Sequence, residues 1–304
     1  VETSGAAVSL GGEGKTAAEM RQAATFAGWD FTNVWGIAEG ASTPYLRIFP
    51  PPFTLNVVTQ GMGRIAAEPC KTTYAPGERV TLTAYSDAPG YVFKGWDGGE
   101  SNALTTVRTV TMTGSRTVQA TFVPAIDIST VEELQGIDGS SNYRLTQDID
   151  ASATTNWNAG AGFAPLGDTY RFDGNVYVSG FTGIFDGNGH VIHGLTVNRA
   201  DGFGLFYEVS EGAIIRRVGI VGGAMTGESG GGLVGLVDKS RIEQCYTTCD
   251  VSGHGSGSIG GLVGDNGGLI IESYATGTIT LERNIGGGLV GANGPYFWNR
   301  SNGR

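Results

Sequence analysis

Gly231-Gly232-Leu233-Val234-Gly235 returns as Gly260-Gly261-Leu262-Val263-Gly264 and again as Gly287-Gly288-Leu289-Val290-Gly291. The copies begin 29 and then 27 residues apart. A fixed block at nearly constant spacing is what a solenoid writes into sequence, because each turn must offer the same bend and the same core side chains to its neighbours. A second line runs in step: Ile215-Arg216-Arg217-Val218-Gly219, Ile242-Glu243-Gln244-Cys245-Tyr246 and Ile270-Ile271-Glu272-Ser273-Tyr274. Two motifs in phase predict at least two strands per coil. Stacking then sets Leu over Leu, Ile over Ile and Tyr over Tyr in buried rows, while each strand pairs with the coils above and below. The glycines fall at corners where a Cβ would obstruct the turn. A degenerate copy, Gly202-Phe203-Gly204-Leu205-Phe206, precedes the three full ones.

Composition agrees with a packed, turn-rich β-protein. Of 304 residues, 40% are hydrophobic and 16% charged, which excludes a disordered chain. The 52 glycines follow no Gly-X-Y period, which excludes collagen. Net charge is -10, and the excess of acid lies in residues 126–304, with 10 Lys and Arg against 19 Asp and Glu. Such a surface repels phosphate, so no nucleic-acid partner is expected. No apolar run approaches the roughly 20 residues of a membrane span, so no membrane insertion is expected in this segment. With no initiator Met or signal peptide, the chain is expected to continue at both ends.

Three segments follow. In residues 1–48, Thr16 and Glu19 form a capping box before Met20 and Ala24. Alternating large side chains from Phe26 to Ile37 then predict a strand pair with one dry face. Pro50-Pro51-Pro52 marks a stiff linker at 49–52. Residues 53–123 read as a compact β module with strands at 53–58, 79–85, 91–96, 105–112 and 117–123, centred on Phe93 and Trp96. Residues 126–304 are the solenoid, opened by a short capped helix whose Val131 and Leu134 cover the first coil.

The repeat block closely resembles the GLUG repeat of large bacterial surface and secreted proteins, together with Phe181-Thr182-Gly183-Ile184-Phe185-Asp186-Gly187-Asn188-Gly189-His190 and the strand from Glu272 to Gly277. The resemblance spans most of residues 126–304 and implies an all-β fold, a right-handed parallel β-helix. Gly14 to Met20, Phe26-Ala27-Gly28-Trp29-Asp30-Phe31 and Pro44-Tyr45-Leu46 look like the closing segment of a preceding array of the same kind. Residues 53–123 resemble the divergent InlB B-type repeat, a β-grasp-like module, through Gly77, Val80, Leu82, Ala84, Gly90-Tyr91-Val92-Phe93-Lys94-Gly95-Trp96, Met112, Val118, Ala120 and Phe122. Neither family carries a defined catalytic set.

The chemistry-bearing residues are sparse. Gly253-His254-Gly255 looks like a stretch of polygalacturonases, which also need grouped carboxylates and a nearby Arg-x-Lys. Upstream, Asp238 and Asp250 stand singly, and Lys239 is the only lysine after residue 125, so His254 reads as a turn residue. Adjacent Arg216 and Arg217 should point to opposite sides, with Arg216 displayed on the exterior. Asp186-Gly187-Asn188-Gly189 has the oxygen content of a calcium loop but no later bidentate Glu, and reads as a turn. Cys245 and Cys249, four apart in a strand-like run, would be roughly 13 Å apart if extended, too far to bridge. They are expected to be free core thiols. Trp157, Tyr170, Phe172 and Tyr177 could stack on sugar rings, with packing as the competing role. No catalytic residue, metal site or cofactor is assigned.

These readings converge on a non-catalytic repeat segment of a large bacterial protein, extracellular or at the cell surface, acting as stalk and adhesion surface toward glycans or proteins of a host or neighbouring cell. The alternatives are a carbohydrate-active or glycan-binding β-helix, and accessory repeats of a surface peptidase whose catalytic domain is absent from this chain. Because only Tyr296 to Arg304 follow the third full repeat closely, the last coil is expected to expose an unpaired edge.

Overall fold

The computed structural model describes residues 14–40, 42–48, 52–86, 88–97, 105–167, 169–172, 175–178, 180–283 and 285–294. Pro50, Pro51 and the tail Tyr296 to Arg304 lie outside the described residues. The chain divides into two compact units, residues 1–60, 64–85 and 95–121 in the first and residues 61–63, 86–94 and 122–304 in the second.

The first unit opens with the expected capping box: Glu19 N–H donates to Thr16 Oγ1 (3.2 Å) and Thr16 N–H to the Glu19 carboxylate (2.7 Å). Two short 3-10 turns follow, Glu19–Arg21 and Ala23–Thr25, instead of an α-helix. The alternating apolar run forms only one short strand, Trp35–Gly36, antiparallel to Tyr45–Leu46. Turns gather its rings instead: Trp29 lies 4.2 Å from Trp35, 4.9 Å from Phe26 and 6.3 Å from Phe31.

Beyond the linker lie two three-stranded sheets. One orders Leu55–Gln60, Arg116–Pro124 and Tyr91–Asp97, the first two parallel. In the other, Arg79–Tyr85 pairs antiparallel with both Arg64–Glu68 and Val107–Thr111. Val80, Leu82 and Ala84 are buried, as their alternation requires. Trp96 is buried with its Nε1–H donating to the Thr105 carbonyl (2.9 Å). Phe93 falls to the second unit, where it packs edge-on to Phe122. The strand Arg64–Glu68 was not legible, because Arg64-Ile65-Ala66-Ala67-Glu68 carries helix-favouring residues that tertiary pairing overrides.

The second unit is a parallel β-solenoid of about four turns. Each full coil has four short strands, more than the two the motifs required. The longest sheet orders Ile126–Ile128, Tyr143–Leu145, Ile184–Asp186, Ile214–Arg216, Val234–Glu243, Val263–Ile271 and Val290–Asn293. The others run Ile149–Asp150 to Tyr274–Ala275, Thr196–Asn198 to Ile279–Leu281, and Gly202–Phe203 to Ile285–Gly287. Register aligns Phe185, Ile215, Ile242 and Ile270 in one interior row and Phe206, Val234, Val263 and Val290 in another. Each buried Leu, Ile or Val contributes about 1.5–3 kcal/mol of apolar burial. Because every coil adds to the same rows, stability accumulates coil by coil.

The repeated glycines are explained by stacking. A Cβ on Gly231, Gly260 or Gly287 would lie 2.7, 1.9 or 2.1 Å from the carbonyl of the Val in its own repeat. On Gly232 or Gly261 it would lie 2.6 or 2.3 Å from the carbonyl of the matching Gly in the next coil. On Gly235, Gly264 or Gly291 it would meet backbone of a preceding coil at 2.6 Å. Side chains would therefore open the turn at the first glycine of each block and force the coils apart at the others.

At the N-terminal end the helix Val131–Gln135 acts as the expected lid. Its capping box joins Thr130 and Glu133, and Val131 and Leu134 are buried in the solenoid core. No described helix is long and apolar enough to cross a membrane.

Candidate functional site

The outer face of the longest sheet carries a row of charges of alternating sign. Register places Asp127 beside Arg144, Arg144 beside Asp186, Asp186 beside Arg216 and Arg216 beside Glu243. Parallel strands lie about 4.8 Å apart, so each charge sits next to an opposite one on the adjacent coil. Arg144 spans Asp127 (Nε to Oδ1, 3.1 Å) and the carbonyls of Ser86 and Ala88 (2.8 and 2.9 Å). Arg216 donates from Nε to Asp186 Oδ2 (2.9 Å) and from Nη2 to the Phe93 carbonyl, with its guanidinium over the Phe93 ring at 5.5 Å.

Arg216 is thus exterior to the coil, as expected, and yet buried. Residues 86–94 of the same unit cover it. Arg217 takes a left-handed backbone (φ 51°) and turns back to Asp186, with Nε to Oδ1 at 3.0 Å and Nη2 to Oδ2 at 2.8 Å. Burial alone would raise the Asp186 carboxyl, but the two guanidiniums hold it below the usual carboxylate range. The Asp186–Gly189 turn therefore spends its carboxylate on arginines. Among the described residues, no three His, Cys, Asp or Glu side chains are grouped to hold a metal.

The Tyr row also forms, but outside the coil. Tyr246 and Tyr274 are register partners with rings stacked at 5.2 Å and 7°, and Tyr274 is exposed. In the coil before them the position is Gly219, where a Cβ would lie 2.4 Å from the Tyr246 ring. The interior position next to them is held by Ile220, Thr247 and Ala275, so these small or β-branched side chains fill the core and the rings do not.

Trp157 lies at the kink of the 3-10 segment Ser152–Gly160, half-buried, stacked on the buried Phe163 at 6.5 Å and packed against the core. Tyr170 and Phe172 fall on Thr169–Phe172 and Tyr177 on Asn175–Val178, an antiparallel pair in which Tyr170 faces Tyr177. Their side chains lie outside the described set. His254 is exposed in the turn between Asp250–Gly253 and Ser258–Gly260. Asp250 accepts the Thr278 N–H (3.1 Å), and Asp238 belongs to a strand of the longest sheet.

Cys245 and Cys249 are free and buried on either side of the two-residue strand Tyr246–Thr247, and burial pushes both thiols up to about 12. The continuous strand expected between them is interrupted by a corner. Cys70 is exposed. A thiol reagent should therefore label one cysteine of the native protein and all three after denaturation. Rapid native labelling of three would contradict the buried placement.

In comparison with known proteins, residues 53–126 match the divergent InlB B-repeat domain. The chain is 36% identical over 168 residues to halomucin of Haloquadratum walsbyi, covering 52% of this chain and 2% of that protein. It is 34% identical over 99 residues to a protein of Evansella cellulosilytica described as a Gly-rich membrane protein, covering 32% of this chain and 10% of that one. Among solved structures, one described as an immunoglobulin A1 protease of Bacteroides ovatus overlays with a TM-score of 0.37 at 20% identity, covering 56% of this chain and 53% of that chain. The chain thus spans a small fraction of the length of these sequence relatives, and its residues 53–126 match the divergent InlB B-repeat domain.

Proposed function

We propose that this chain is a non-catalytic repeat segment of a large cell-surface or secreted protein, serving as a stalk and as an adhesion surface. The observation that carries this reading is the use made of the repeated residues: the Leu and Val of the recurring block pack in or against the solenoid core, and all but one of its glycines sit against backbone of the same turn or of an adjoining coil. The small share of halomucin and of the Gly-rich membrane protein that the chain covers supports a segment within a much longer array. On this reading residues 126–304 are a GLUG-type solenoid, residues 53–123 a spacer and residues 1–48 the closing piece of a preceding array. The last assignment is supported by the cluster of Phe26, Trp29, Phe31 and Trp35, in a segment with no buried aromatic ring.

The partners proposed are glycans or proteins of another cell, met by the variable outward positions. Binding of the chain to a glycan array and to intact cells tests the reading, with retention expected and no change in glycan length. Depolymerisation of a glycan that His254→Ala abolishes would establish the enzymatic alternative instead.

A further inference from the structure

The joint between the first and second coils is sparse. Tyr143–Leu145 meets Ile184–Asp186 at Tyr143–Phe185 and Arg144–Asp186, and Ile149–Asp150 meets Val191–His193 at Ile149–Ile192 and Asp150–His193. Beyond these strands the first coil reaches the second through the isolated bridges Gly162–Val197, Leu166–Phe206 and Phe181–Val209, since Thr196–Asn198 and Gly202–Phe203 begin their own sheets. Later coils, by contrast, pair along most of Val234–Glu243 and Val263–Ile271. A segment with few cross-coil bonds opens locally at low free energy. Acid–histidine pairs cross this sparse joint. His190 Nδ1 lies 3.1 Å from Asp148 Oδ1, which also accepts the Val191 N–H (3.0 Å). His193 is the register partner of Asp150. These are two of the chain's three histidines, and all four side chains are exposed or half-buried, open to proton exchange with solvent. From the coil that follows, Val221 faces His193 and Gly219 faces Val191, so neither position brings a charge. Arg217, whose carbonyl accepts the Gly189 N–H just before His190, keeps its guanidinium on Asp186.

We propose that these pairs make the first coil a pH-sensitive clamp, closed onto the second coil in mild acid and loosened as the pH rises. Histidine is the side chain whose charge changes between pH 5 and 8. Protonated, each imidazole meets a carboxylate of the adjoining coil; neutral, it loses the charge attraction. The carboxylates stay charged across that window. Asp148 is held below the usual carboxylate range by the Val191 N–H and then by His190, and Asp150 by the Ser152 hydroxyl and N–H. The closed coil thus binds the histidine protons more tightly than the opened one, so the gain from closure is present in mild acid and is lost as pH rises through the histidine range. Exposure keeps the effect modest, about three- to tenfold in the opening equilibrium for the two pairs together. Ile126–Ile128 pairs with Tyr143–Leu145 and leads into the lid helix, so opening carries the lid along and uncovers strand edges of the second coil.

Hydrogen exchange of the full chain at about pH 5.5 and about pH 8, corrected for the intrinsic rate at each pH, tests this. The amides of Ala151, Phe163 and Leu166, which donate across the joint, should be about three- to tenfold better protected at the lower pH. Those of Leu233 and Gln244, which donate between later coils, should show no such difference. His190→Gln with His193→Gln should leave the joint amides equally protected at both pH values. Asp148→Asn with Asp150→Asn keeps an oxygen acceptor at each position without its charge, and should abolish the difference as well. No difference in the wild type, a difference retained in either variant, or an equal difference at Leu233 and Gln244 would each overturn the proposal.

Discussion

Gly260→Ala is expected to destabilise the solenoid by about 3 kcal/mol, while Gly288→Ala is expected to change stability by less than about 0.5 kcal/mol. Both residues belong to the same repeated block, so sequence treats them as kin. Their surroundings separate them. At Gly260 the new methyl would lie 1.9 Å from the Val263 carbonyl and 2.8 Å from the Gly291 amide nitrogen, and backbone cannot rotate away as a side chain can. At Gly288 no atom of the described residues lies within 4 Å of the new methyl. Gly261→Ala should resemble Gly260→Ala, since its Cβ would lie 2.3 Å from the Gly288 carbonyl and 2.8 Å from the Ala275 methyl. Urea unfolding of dilute protein would measure the series. Equal losses at Gly261 and Gly288, which hold the same place in the block, would show that glycine is needed there for the turn itself and not for the neighbouring coil.

Asp186→Ala should cost about 3–5 kcal/mol, because it strands the buried Arg216 guanidinium without its anion. Asp186→Leu combined with Arg216→Met should recover much of that loss, since well-packed apolar groups replace buried pairs at little cost. Urea unfolding of the wild type, each single variant and the double variant would show it; additive losses would contradict a coupled pair. The pH dependence has a definite sign. The folded carboxyl titrates below its unfolded value of about 3.9. Its stabilising contribution is therefore fully present above that value and is lost as pH falls through the folded one. Stability of the wild type should fall more steeply than that of the double variant as the solution is acidified below about pH 4.

Much of the fold was legible because a solenoid repeats its own instructions. The in-phase blocks correctly gave parallel stacking, the interior Ile, Leu and Val rows and the buried cysteines, and the Thr130–Glu133 capping box gave the lid. The Tyr row was legible as a row but not as an exterior one. A stacked aromatic pair looks alike inside or outside a coil until its neighbours, here the small interior Thr247 and Ala275, fix the side. The aromatic run from Phe26 to Ile37 misled for a related reason. Period-two alternation suits a strand, yet only Trp35–Gly36 found a partner with free backbone groups, and turns collected the remaining rings.

The charged row shows where one-dimensional reading stops. Asp127, Arg144, Asp186, Arg216 and Glu243 are separated in the chain by stretches of unequal length, including the irregular loop between residues 152 and 183, so no period marks them as neighbours. Arg216 is further buried by a carbonyl 123 residues away in the chain. The period, the residues of the core rows and the need for glycine at the corners could be read in one dimension, because those depend on spacing that recurs every coil. Which outward side chains are covered and which charges meet across coils were set by the folded chain alone. Those depend on what distant segments bring against a given coil.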